Sequence, residues 1–410
     1  MGRALAAVAL VACTVLLSAC GVGGPPEPTP TRLEHDINQV KLGVEDVREL
    51  SAKRDVPLRL VSTAELGEAH ARTLEQVYSR EEGLRESLEY WLLRLTDERS
   101  VDIYQLSKDL FTQGYAGFYV LATKEMFVLS QESDLTAESR AILAHEFTHA
   151  LQDQHFDLQK LLPPSSDDYD RQMAIAALVE GDAMWTTGLY ARSYMPSGDF
   201  LKLKYAAVPV PPDDSPTFPA YLGEAGVFPY EYGDAFVGEL LDNNLYNFEA
   251  LNKAFADPPA STEQILHPEK YFEARDNPLP VTVPPLTSTL GSGWTFQHSA
   301  TIGEFSLRYL LDYNYSLNPD IGAAGWGGGR YDLYTNGDDA LLTTVTRWDT
   351  LEDAVQFHGE LIETFLGDES DDNIYDDGYG RFFITERDGD TVTFTASTDR
   401  AALKRVVAGR

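Results

Sequence analysis

The segment Ala141-Ile142-Leu143-Ala144-His145-Glu146-Phe147-Thr148-His149-Ala150-Leu151 constrains this chain more than any other part of it. Its apolar residues recur at helical spacing, and Thr136 with Glu138 just after it offers a cap and an acidic first turn. The pattern predicts a helix from about residue 136 to beyond residue 152. Residues four apart share one face of a helix, so His145 and His149 can hold one metal ion between their imidazoles, and Zn2+ suits that donor pair. Glu146 lies one residue along, angled towards the position such an ion leaves open, where a carboxylate can act as general base. A purely structural zinc site has no use for that glutamate.

Two histidines are not a complete site. The 410-residue chain has only two cysteines, Cys13 and Cys20, both at the extreme N-terminus, so no thiolate from the body of the chain can add a ligand. Two other candidates compete. His155 comes six residues after His149, but Gln152 stands where a glycine would let the chain turn off the helix. On an unbroken helix His155 sits about 80° away from the His145 direction. Glu180 lies 31 residues past His149 on a second expected helix, residues 171–194. Its neighbours Ile175, Ala176, Leu178, Val179, Ala183 and Trp185 are apolar, a setting in which a lone carboxylate is costly unless paired or bound to metal.

Over residues 115–185, through His145-Glu146-Phe147-Thr148-His149 and Ala177-Leu178-Val179-Glu180-Gly181-Asp182-Ala183, the chain resembles the gluzincin zinc peptidases. In those proteins a second helix delivers a glutamate, often followed by glycine. The resemblance implies a zincin-like metallopeptidase domain with Zn2+ held by His145, His149 and Glu180. It also implies attack of an ion-activated water on a carbonyl of a peptide or protein substrate, with Glu146 as base. Met184 stands where the family's Glu-x-x-x-Asp spacing has its aspartate, leaving Asp182 or Asp153 to orient a histidine. For the oxyanion-stabilising Tyr or His of that family, Tyr230, Tyr232 and His298 are candidates, Tyr230 first because it reads as opening a helix after a loop. More loosely, residues 228–237, 261–270 and 323–331 are similar to bacterial lipoproteins that look like metallopeptidases. A non-catalytic envelope lipoprotein that keeps the fold is the alternative, and a metal-dependent amidase or cell-wall hydrolase is a third reading.

The N-terminus agrees with the lipoprotein reading. Residues 1–19 combine a basic start with a short apolar run and end in Leu17-Ser18-Ala19 before Cys20, which resembles a bacterial lipobox. Lipidated Cys20 would tether the protein to the extracytoplasmic face of the cell membrane, with the Pro- and Gly-rich residues 20–34 as spacer. The net charge of −33 repels phosphate backbones and argues against nucleic-acid partners.

The expected fold class is helix-rich α+β, with a main domain over residues 35–318 and a small α+β subdomain over residues 319–410. Strands are expected at residues 58–61, 117–122 and 126–130, the last either a sheet edge along which a peptide lies or interior sheet. One helical pattern covers residues 65–97, with Leu84, Leu88, Trp91, Leu92 and Leu95 on its core face. A proline-rich loop at 209–219 precedes a helix from about residue 230. Residues 325–329 read as a glycine turn before a strand, and residues 381–396 as a hairpin around Asp388-Gly389.

Overall fold

The computed structural model describes residues 31–113, 117–129, 135–163, 166–200, 219–314, 319–365, 368–369 and 373–409. Cys20, the signal-like segment, most of the spacer and nearly all of the proline-rich loop lie outside them. The fold is α+β, as expected, with a helical N-terminal part and a sheet-rich C-terminal part.

In chain order the first elements are α1 (Arg32–Arg48), β1 (Leu58–Val61), α2 (Thr63–Val77), α3 (Arg80–Leu92) and α4 (Ile103–Gln113). The single helix expected over residues 65–97 is thus two. Ser79 accepts from the Glu82 backbone N–H while the Glu82 carboxylate takes the N–H of Ser79, a capping box that starts a new helix; the same device opens α1 at Thr31 and α2 at Ser62. Trp91, Leu92 and Leu95 are buried as expected, but Leu84 is 53% exposed. The buried face of α3 runs through Gly83, Ser87 and Tyr90, and Leu84 lies about 100° off it.

β2 (Gly117–Val120) and β3 (Glu125–Leu129) complete a three-stranded sheet of order β1-β3-β2. β3 runs parallel to β1 and antiparallel to β2, so the strand expected at 126–130 is interior and β2 is an edge. α5 (Ala137–Phe156) follows, then α6 (Tyr169–Tyr194) and α7 (Ala220–Asn243). Thr136 caps α5 by accepting from the Ser139 N–H. α7 begins ten residues ahead of its expected start and continues through Pro229. A proline inside a helix costs about 3 kcal/mol, which burial of large side chains offsets at about 1.5–3 kcal/mol each. Phe228, Pro229 and Tyr230 are all buried.

The C-terminal part contains β4 (Thr295–Thr301), α8 (Glu304–Tyr313), β5 (Trp326–Asn336), β6 (Asp339–Trp348), α9 (Leu351–Phe365), β7 (Asp368–Glu369), β8 (Tyr375–Asp376), β9 (Phe382–Asp388), β10 (Thr391–Ser397) and α10 (Arg400–Ala408). Its seven-stranded sheet has the order β4-β5-β6-β10-β9-β8-β7, each neighbouring pair antiparallel. The sheet therefore reaches back to Thr295, ahead of the boundary expected at Pro319. The expected glycine turn at 325–329 is instead mostly strand. A Cβ on Gly328 would meet the Leu279 carbonyl and one on Gly329 the Ile302 carbonyl, each at 2.5 Å, so glycine there lets other backbone lie against β5. The β9–β10 hairpin turns at Asp388-Gly389 as expected, with Gly389 at φ 60°.

Strand alternation gives this sheet two apolar faces. Leu333, Leu342 and Phe383 belong to the principal core, which is continuous with the helices around α5 and α6. Their neighbours Tyr334, Leu341 and Ile384 pack with Ala402 and Leu403 of α10 in a separate cluster.

Candidate metal centre

α5 and α6 pack together and bring the two motifs into one place. His145 Nε2 lies 3.1 Å from Glu180 Oε2, His149 Nε2 lies 3.3 Å from the same oxygen, and the two histidine Nε2 atoms are 3.1 Å apart. All three side chains are buried. A tetrahedral ion with bonds of about 2.05 Å separates its ligand atoms by about 3.3 Å. The donor set and its spacing therefore fit Zn2+ held by three protein ligands with one position open.

The local electrostatics follow from that convergence. Burial alone would raise the Glu180 carboxyl, but His149 in its charged form, together with the hydrogen bonds from that form and from His145, outweighs burial and holds the group well below the usual carboxylate range. Burial alone would lower His149, but Glu180 against its ring raises it instead. Glu146 is displaced upwards, chiefly by burial and further by Glu180, while the histidines and the Tyr119 backbone N–H act in the opposite sense.

Close helix packing sets the position of Glu180. A Cβ on Gly181 would overlap the Gly233 carbonyl of α7, and one on Gly233 would overlap the Ala177 carbonyl of α6. Glycine at 181 thus lets α6 lie close against α7; it is not the contact between α6 and α5 that it serves. Gly117 plays a comparable part on the other side: a Cβ there would sit 3.4 Å from Glu146 Cγ and 2.6 Å from Ile142 Cγ2. The edge strand β2 thus runs directly past the glutamate.

The remaining candidates are sorted by their contacts. His155 Nε2 donates to the Ser51 carbonyl at 2.8 Å and stands apart from the cluster. Among the oxyanion candidates, Tyr230 is buried with its ring centroid 6.3 Å from that of His145. It does so from the middle of α7, not from a helix start. Tyr232 stacks on Phe228 beneath Arg308. His298 bonds Glu89 at 2.7 Å and is tied into the sheet-side core by Tyr169. Asp153 is held by Tyr119, Lys124 and Arg54 and touches neither histidine ligand. Asp182 reaches His149 only through Gln152, a residue that sequence reasoning had noted solely for not being glycine.

A family model described as a domain of unknown function (DUF8575) matches residues 294–407, the seven-stranded sheet with its helices, and does not extend to the His145–Glu180 cluster. No curated protein and no solved structure matches the chain. Among the described residues no helix is long and apolar enough to cross a membrane.

Proposed function

We propose that the protein is a zinc-dependent metallopeptidase with a zincin-like catalytic domain, anchored through a lipid on Cys20 at the extracytoplasmic face of a bacterial cell membrane. The observation that carries the reading is the convergence of the His145, His149 and Glu180 donor atoms at 3.1–3.3 Å on the face that also carries Glu146. His145, His149 and Glu180 would hold the ion. Zinc, when bound, supplies a Lewis acid that polarises a carbonyl and makes water acidic enough to ionise near neutrality.

The chain's own residues supply the rest. A peptide lies extended against β2, whose edge position and side-chain-free Gly117 leave room beside Glu146. Glu146, kept basic by burial, removes a proton as the water oxygen adds to the peptide carbonyl carbon. When the C–N bond breaks, the same carboxyl returns the proton to the leaving nitrogen. Tyr230, whose ring lies 6.3 Å from that of His145, would donate to the oxygen that gains negative charge.

Metal content and cleavage of a casein or peptide library by the mature protein and by Glu146→Gln test the reading. The expected result is one zinc per chain in both proteins, with cleavage falling about 10²–10⁴-fold in the variant. Stoichiometric zinc with no activity to lose would leave the alternative, a non-catalytic envelope lipoprotein.

A further inference from the structure

We infer that Gln152 is the positioning residue that makes His149 an Nε2 ligand, acting as the first link of a buried chain that runs through Asp182 to Arg48. The inference rests on the zinc reading above for the ion itself, but its core is a hydrogen-bond argument that holds without any ion.

Gln152 is fully buried on α5, one helical turn beyond His149. Its Nε2 lies 2.9 Å from the Val179 carbonyl oxygen and 2.9 Å from Asp182 Oδ2. Both partners are obligate acceptors, so the amide end facing them must be the NH2, and both of its protons are used. The amide oxygen is therefore fixed towards His149 Nδ1, at 2.9 Å. An oxygen there can only accept, so Nδ1 must carry the proton. The neutral ring then has its lone pair on Nε2, the atom that faces His145 and Glu180.

What keeps the amide from turning is the far end of the chain. Asp182 has a fully buried carboxylate whose Oδ1 accepts from Arg48 Nε at 2.7 Å and from Thr186 Oγ1 at 3.2 Å. Arg48 is the last residue of α1, lies against the Phe248 ring, and donates from Nη2 to Asn252 Oδ1 at 2.8 Å. With Oδ1 taken by Arg48 and Thr186, Oδ2 accepts from the Gln152 NH2 and holds it in one sense. Three elements remote in sequence thus decide which nitrogen of one histidine is free. The gluzincin pattern that this chain resembles has an aspartate at the position Met184 occupies here; Gln152 with Asp182 fills that place by a different route.

The test uses the whole mature protein. Zinc affinity is measured by competition with a chromogenic chelator, and the coordination sphere by the visible absorption of the cobalt-substituted protein. Gln152→Ala is expected to weaken zinc binding about 10–100-fold and to alter the cobalt spectrum, at a temperature where circular dichroism shows the variant folded. Gln152→Glu sets a second carboxylate against Asp182 and is expected to weaken binding as well. The double change Gln152→Glu with Asp182→Asn restores the donor–acceptor sense on the residue 182 side, since the introduced asparagine can accept from Arg48 and donate to the introduced glutamate, while the Val179 carbonyl still faces an acceptor. It is expected to recover part of the affinity that Gln152→Glu alone loses. A merely structural role would not give that rescue. Nitrogen-15 spectra of the metal-free protein, at a pH above the ring's titration, are expected to show the Nδ1–H tautomer of His149. Zinc binding within about threefold of the parent in Gln152→Ala with an unchanged cobalt spectrum, or an Nε2–H tautomer, overturns the proposal. A parent that binds no zinc overturns the metal reading instead, while the tautomer still decides the role of Gln152.

Discussion

Two clusters in this molecule could each hold a cation: His145, His149 and Glu180 between α5 and α6, and Glu263, Asp276 and Asp349 near the start of the sheet-rich part. They differ in what already stands among their ligand atoms. In the second cluster the Lys270 ammonium lies 2.5 Å from Glu263, 2.7 Å from Asp349 and 3.2 Å from Asp276. Burial alone would lower the Lys270 pKa, but its bonds to Asp349 and Glu263 outweigh that and raise it. In the first cluster no lysine or arginine contacts the three donors among the described residues, and the neighbouring Arg48 is spent on Asp182. Convergent carboxylates alone therefore do not distinguish a metal site from an ion-pair knot. The distinguishing features are imidazole nitrogen donors, burial, and, among the described residues, the absence of a lysine or arginine already seated among the donors.

The largest effect that would break this contrast is loss of zinc. Glu180→Ala is expected to abolish stoichiometric zinc while His155→Ala leaves it unchanged, by elemental analysis of the purified proteins. The reverse pattern would move the third ligand to His155. Gly181→Ala should cost about 1–3 kcal/mol in chemical denaturation and weaken zinc binding, because the added methyl meets the Gly233 backbone beside the ligand. Gly188→Ala, on the same helix with open space around it, should instead be neutral or stabilising by up to about 1 kcal/mol. Lys270→Met should leave zinc content untouched and destabilise the fold on the order of 2 kcal/mol, since the cluster is partly open to water. Zinc lost in this variant would contradict the assignment of the two clusters.

Asp170 sharpens the comparison from a third side: it is a buried carboxyl bonded to the Thr262 N–H and hydroxyl, with neither a lysine nor an arginine partner among the described residues. Burial pushes its pKa from 3.8 up to about 7. A carboxyl raised on folding gives its full stabilising contribution at low pH and loses it as pH rises from about 4 to about 7. Asp170→Asn is therefore expected to flatten the pH dependence of stability across that window, by up to about 4 kcal/mol. Denaturation curves at pH 4, 5.5 and 7 that run parallel to those of the parent would show the residue to be silent.

Much of the candidate site was legible because its signals are local. The His145–His149 spacing, the Thr136 cap and the apolar flanks of Glu180 are read within one or two helical turns, and the structure places all of them as that reading expects. The Ser79-x-x-Glu82 capping box is a local signal too, and it announces the break between α2 and α3. Pro229 points in the opposite direction. A proline normally argues against helix interior, and only the packing of its neighbours in the core overrides that preference.

The sequence by itself determined that His145, Glu146 and His149 stand together on one helix, with the two histidines on a shared face because they are four residues apart. It left two candidates to join them, since cysteine was absent from the body of the chain. Only the tertiary structure brought Glu180 and not His155 to the two histidines, made β2 and not β3 the edge beside Glu146, and joined Gln152 to His149. The physical reason is separation along the chain. Arg48, Gln152 and Asp182 are joined by buried hydrogen bonds across more than a hundred residues, and no periodicity or spacing rule reaches that far.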